Sequence, residues 1–121
     1  MFKETLQSIV EKTDGGLGAV IMGTDGLPVE KFFSAEAAEA NLDVAAAEFT
    51  SLIRTAARSA KDLNLGEVRE LVLSLDNVTL LMRALHREYF FLLAVRPDGN
   101  LGRGRYELRK AELMLAAEFA V

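Results

Sequence analysis

Three apolar runs follow one another between Val68 and Val95, and the gaps between them leave room for little except tight turns. Val68 to Leu75, Val78 to Leu85 and Tyr89 to Val95 are rich in the β-branched and aromatic residues, with leucine, that line pleated sheets. Asp76-Asn77 separates the first two, and His86-Arg87-Glu88 separates the second pair. Parallel neighbours need a crossover of a dozen or more residues. The three runs therefore form an antiparallel meander.

The rest of the chain arranges itself around that meander. Leu17 to Met22 is almost wholly apolar, as expected of a strand covered on both faces. Leu27 to about Phe33 reads as its hairpin partner across Gly23-Thr24-Asp25-Gly26, where glycine accepts the positive φ of a tight turn. Pro28 cannot donate a ladder hydrogen bond, which places this second strand at a sheet edge. A short amphipathic helix precedes the hairpin, with Phe2, Leu6, Ile9 and Val10 on one side and Lys3, Glu4, Gln7 and Glu11 on the other. Asp14-Gly15-Gly16 ends it.

The longest helix spans about Leu42 to Leu63. Its apolar stripe is Leu42, Ala46, Phe49, Ile53, Ala56 and Ala60, widened by Ala45, Leu52 and Ala57, and Gly66 closes the region. Asp98-Gly99-Asn100 leads into a last helix carrying Leu108, Ala111, Leu115 and Phe119 on one face. The order is αββαβββα. An α/β (α+β) fold, a five-stranded antiparallel sheet with helices on both faces, buries this pattern most simply. The length fits a single domain over residues 1–121.

Several functions are disfavoured at this level. With no cysteine and a single histidine, His86, read as an exposed turn residue, neither a metal site nor a nucleophile–base pair can be assembled. Gly15, Gly16, Gly18 and Gly23 lack the lysine and hydroxyl of a phosphate loop, and Ile21 stands where a dinucleotide fingerprint needs its third glycine. No catalytic residue and no cofactor are expected. A net charge of −4 gives no overall attraction for nucleic acid or anionic lipid. The basic cluster Arg96, Arg103, Arg105, Arg109 and Lys110 reads as a solvated helix start, with partner binding as the alternative. No run approaches the 20 apolar residues of a membrane span and the N-terminus lacks a signal-peptide pattern, so a cytoplasmic location is expected.

Two features point outward. Val44, Ala47, Ser51, Arg54, Thr55 and Arg58 share one side of the long helix, opposite its core stripe. Small residues in that rhythm allow a close approach, and the arginines suit an interface; an ordinary solvent face is the competing reading. The run Val68 to Leu75, with Leu71 and Leu73, is very apolar for an edge strand. Pairing with a second copy across a two-fold axis would cover it.

The stretch Gly18-Ala19-Val20-Ile21-Met22-Gly23-Thr24-Asp25-Gly26-Leu27-Pro28-Val29 resembles the first hairpin of Roadblock (dynein light-chain) domains. Tyr89-Phe90-Phe91-Leu92-Leu93-Ala94-Val95, followed by Asn100-Leu101-Gly102-Arg103-Gly104-Arg105-Tyr106, resembles their tail. The element order extends the likeness over the whole chain, nearest to stand-alone bacterial, MglB-like members. The resemblance implies a Roadblock/profilin-like fold and a homodimer with paired long helices. It also implies docking of a Ras-like small GTPase and control of its GTP hydrolysis, with no active site in the chain itself. By position, the docking face would be Glu48, Ser51, Arg54, Thr55 and Arg58. The alternatives are a non-catalytic scaffold subunit and, third, a small-molecule sensor. The Leu, Val, Phe and Met filling the strands disfavours a ligand pocket.

Overall fold

The computed structural model describes residues 1–37 and 42–119. The elements are α1 (Phe2–Lys12), β1 (Gly16–Gly23), β2 (Pro28–Phe33), a 3₁₀ turn (Ala35–Ala37), α2 (Leu42–Asp62), β3 (Glu70–Ser74), β4 (Thr79–His86), β5 (Tyr89–Val95) and α3 (Leu101–Phe119). They build a five-stranded sheet of order β2-β1-β5-β4-β3, antiparallel at every pairing. The expected meander is β3-β4-β5, and β1 closes onto β5 so that both are flanked by strands. β2 and β3 form the two edges.

Alternation along the strands sends side chains to two separate cores. On one face, α1 and α3 cover Ala19, Ile21, Leu81, Phe91 and Leu93 with Leu6, Ile9, Leu108, Ala111 and Leu115. On the other, α2 presents Leu42 and Ala46, with Phe49 and Ile53 half-buried, to Val20, Met22, Met82, Phe90 and Leu92. Both faces of β1 and β5 are thus buried, the reason these two strands read as continuous apolar runs.

The turns follow the local chemistry. Gly26 takes φ 89°, and the Asp25 carboxylate accepts the Leu27 N–H at 3.0 Å, fixing the expected Asp-Gly hairpin. Asn100 caps α3 by accepting the Arg103 N–H at 2.9 Å.

Several local expectations need correction. α2 ends at Asp62, and its left-handed stop residue is Asn64 (φ 58°), ahead of Gly66 (φ 97°). The Leu65 N–H reaches the Ala60 carbonyl and the Asn64 N–H the Lys61 carbonyl, the double bond of a left-handed helix stop that asparagine tolerates. β3 begins at Glu70 rather than Val68, and β4 runs on through His86, which is half-buried and 6.2 Å from the Tyr89 ring. The turn is Arg87-Glu88 alone, and His86 is not an exposed turn residue. Leu52, at 41% exposure, and Ala57 lie outside the core stripe. At about 100° per residue each sits on its flank. The 3₁₀ turn had no sequence expectation, and the side chain of Phe119 lies outside the described set.

Candidate partner-docking surface

The proposed outer face of α2 is assembled by the fold. Val44, Ala47, Glu48, Ser51, Arg54, Thr55 and Arg58 are all exposed, and Leu52 joins them. Ser51 donates its hydroxyl back to the Glu48 carbonyl at 3.1 Å, so it presents little free polarity. Arg58 makes no ion pair among the described residues and projects a bare guanidinium. Arg54 differs. Its Nη1 donates to the Thr24 carbonyl at 2.6 Å, and the Thr24 N–H donates to the Glu88 carbonyl at 2.8 Å. One arginine of the predicted face therefore ties α2 to the tips of both hairpins.

The other half of the surface is the β3 edge. β3 pairs with β4 along one side and with no strand of the described chain along the other. Leu71 and Leu73 lie on the α2 face of the sheet and are half-buried, whereas Val72 turns to the α1/α3 face. Leu75, just beyond the strand, is 46% exposed. An edge this apolar is a template for pairing.

α2 packs mainly on β1 and β2, leaving space over the far side of the sheet. That space is an open groove of about 900 Å³ between the C-terminal half of α2 and β3–β5. Ile53, Ala57, Leu71, Met82 and Phe90 line its apolar part, and Lys61, Asn64, His86, Arg87 and Tyr89 its polar part. The apolar strand residues were expected to disfavour a ligand pocket, and what lies beside them is an open groove rather than an enclosed cavity. The apolar strand residues fill the space under α2 only where the helix covers them.

The basic cluster does not form one patch. Arg96 pairs with Glu36 at 3.0 Å and with Asp98 at 3.3 Å; the Glu36 carboxylate, chiefly through its hydrogen bond, raises the guanidinium pKa. Arg103 and Lys110 both reach the buried carboxylate of Glu107, at 2.8 and 3.2 Å. Arg105 pairs with Glu70 at 3.0 Å. Arg109 makes no such pair among the described residues. No group of three or more potential metal-binding side chains occurs among the described residues. None of their helices is long and apolar enough to cross a membrane.

The Roadblock/LC7 domain model matches residues 2–96, more than half of the chain. The chain belongs to the Roadblock/LC7 family. Among solved structures it is similar to MglC from Myxococcus xanthus, at 34% identity and TM-score 0.71, over 96% of this chain and 97% of that one. A Roadblock/LC7 domain from Streptomyces avermitilis shares 16% identity with TM-score 0.84 over 98% of both chains. The gliding protein MglB from Thermus thermophilus shares 19% with TM-score 0.83, over 94% of this chain and 84% of that one. These last two likenesses bear on the fold. No curated protein sequence matches the chain significantly.

Within this Roadblock domain, sequence reasoning missed Leu52 as a surface residue and the groove residues Ile53, Ala57 and Tyr89. Leu52 was accessible to it, because ten residues at about 100° each put it well away from Leu42. The groove was not, because nothing in the helix pattern says which strands α2 will cover.

Proposed function

We propose that this Roadblock protein is a homodimeric, non-catalytic regulator that docks a Ras-like small GTPase and modulates its GTP hydrolysis. Two copies would join their β3 edges, bringing two α2 helices onto one face of a continuous ten-stranded sheet. The observation that carries the reading is the coincidence, among the described residues, of an apolar strand edge that pairs with no other strand and an α2 helix whose outer face holds small residues and an Arg58 with no ion pair. One solved relative is an MglB with a tetrameric arrangement, which supports self-association.

The geometry also bears on mechanism. An inserted arginine that stabilises transition-state charge is worth about 10³–10⁵ in rate. Arg54 already spans to Thr24, so its release would cost the hairpin tether. That argues for action by shaping the GTPase's own residues, with Arg58 as a docking contact. The test is light scattering of the pure chain, expected at twice 13.2 kDa, followed by single-turnover GTP hydrolysis by a Ras-like GTPase from the same organism. Arg58→Glu should weaken GTPase binding about tenfold without loss of fold. A monomer, or binding unchanged by that reversal, refutes the proposal. Tight binding with unchanged turnover leaves a scaffold role in its place.

A further inference from the structure

We propose that a groove bounded by the start of β3, by β4 and by α3 is a second docking site that takes an acidic segment of a partner protein carrying an apolar anchor. The groove, about 300 Å³, is lined by Arg69, Arg83, Ala84, Arg109, Glu112 and Leu113. Three guanidinium groups, one from the residue before β3, one from β4 and one from α3, therefore line one space.

Their neutralisation is incomplete. Arg83 is shared between Glu112 at 3.0 Å and Glu70 at 3.7 Å, and Glu70 is also held by Arg105 at 3.0 Å. Arg69 and Arg109 form no ion pair among the described residues. Four arginines thus stand against two carboxylates. This excess sits on a chain whose net charge is −4, so an acidic partner is repelled by the molecule as a whole and drawn to this place. Guanidinium forks fit carboxylates in pairs, which gives the attraction direction.

The apolar component separates a protein segment from a simple anion. Leu113 forms part of the groove and is 73% exposed, and Met114 beside it is 66% exposed. Phosphate would engage the arginines and leave Leu113 in water, whereas an apolar side chain flanked by carboxylates would satisfy both. The groove shares Arg83, Ala84 and Glu112 with the larger one beside α2, but no residue of the α2 outer face lines it, so the two docking readings can fail separately.

The test is a ¹⁵N NMR titration of the full chain with a synthetic peptide of four glutamates flanking one leucine, alongside its glutamine counterpart and inorganic triphosphate. Shifts are expected at Arg69, Ala84 and Arg109 to Leu113 with the glutamate peptide and not with the glutamine one. Arg69→Glu combined with Arg109→Glu should weaken binding by about tenfold or more. Both positions are exposed, so melting should be unchanged. Leu113→Ser should weaken the peptide several-fold and leave triphosphate unaffected. The proposal is overturned if shifts fall elsewhere or are absent, or if charge reversal changes nothing. It is equally overturned if triphosphate matches the peptide and Leu113→Ser has no effect.

Discussion

Replacing Leu73 with glutamate separates the stability of the protomer from that of the proposed dimer. Leu73 faces Leu80 across the β3–β4 ladder and is half-buried in the α2-side core. Fully burying a leucine is worth about 1.5–3 kcal/mol, so the isolated protomer draws roughly 1 kcal/mol from this side chain and would lose about that much. The remaining half, about 1 kcal/mol, becomes available only when a second β3 covers it. Two-fold symmetry doubles that loss, and each introduced carboxylate, only partly desolvated at the sheet edge, adds roughly 1–2 kcal/mol, below the several kcal/mol of a fully buried ion. The dimer should therefore weaken by about 4–6 kcal/mol, or about 10³–10⁴ in dissociation constant. Sedimentation velocity across micromolar concentrations would read the shift to monomer, with circular dichroism confirming a folded chain. Leu73→Ser provides a gentler variant should the glutamate prevent folding. A folded Leu73→Glu protein that dimerises like the wild type would refute β3 as the interface.

Arg54→Ala should remove the charge-assisted bond to the Thr24 carbonyl; because that bond is exposed, we expect a loss of about 0.5–1.5 kcal/mol, with faster amide exchange at the β1–β2 turn. Gly104→Ala places a Cβ 2.8 Å from Leu93 Cδ2, and Leu93 is fully buried. Overpacking of about 1–3 kcal/mol should outweigh the better helix propensity of alanine, and calorimetry should record a lower melting temperature. Glu107→Gln removes the buried anion shared by Arg103 and Lys110, whose own side chains stay 45% and 40% exposed and can hydrate. The expected loss, about 1–2 kcal/mol in urea denaturation, lies well below the 3–5 kcal/mol of stranding a buried charge.

The element order and the antiparallel meander were legible because they rest on short-range rules. Turn length dictates antiparallel pairing, and an unbroken apolar run signals burial on both faces. Asp25-Gly26 and Pro28 marked a hairpin and an edge, and both stand. The outer face of α2 was legible as well, since helical periodicity alone sorts Val44, Ala47, Ser51, Thr55 and Arg58 away from Leu42 and Ala46.

What the tertiary structure decided concerns residues distant in the chain. Arg54 lies 30 residues from Thr24, and its pairing depends on where α2 crosses the sheet. The same crossing opens the groove beside Ile53. Arg69, Arg83 and Arg109 are ordinary charged residues in the sequence and meet only because β3, β4 and α3 converge. Periodicity records which side of an element faces inward; it holds no record of what lies across the gap, because that is fixed by packing between elements.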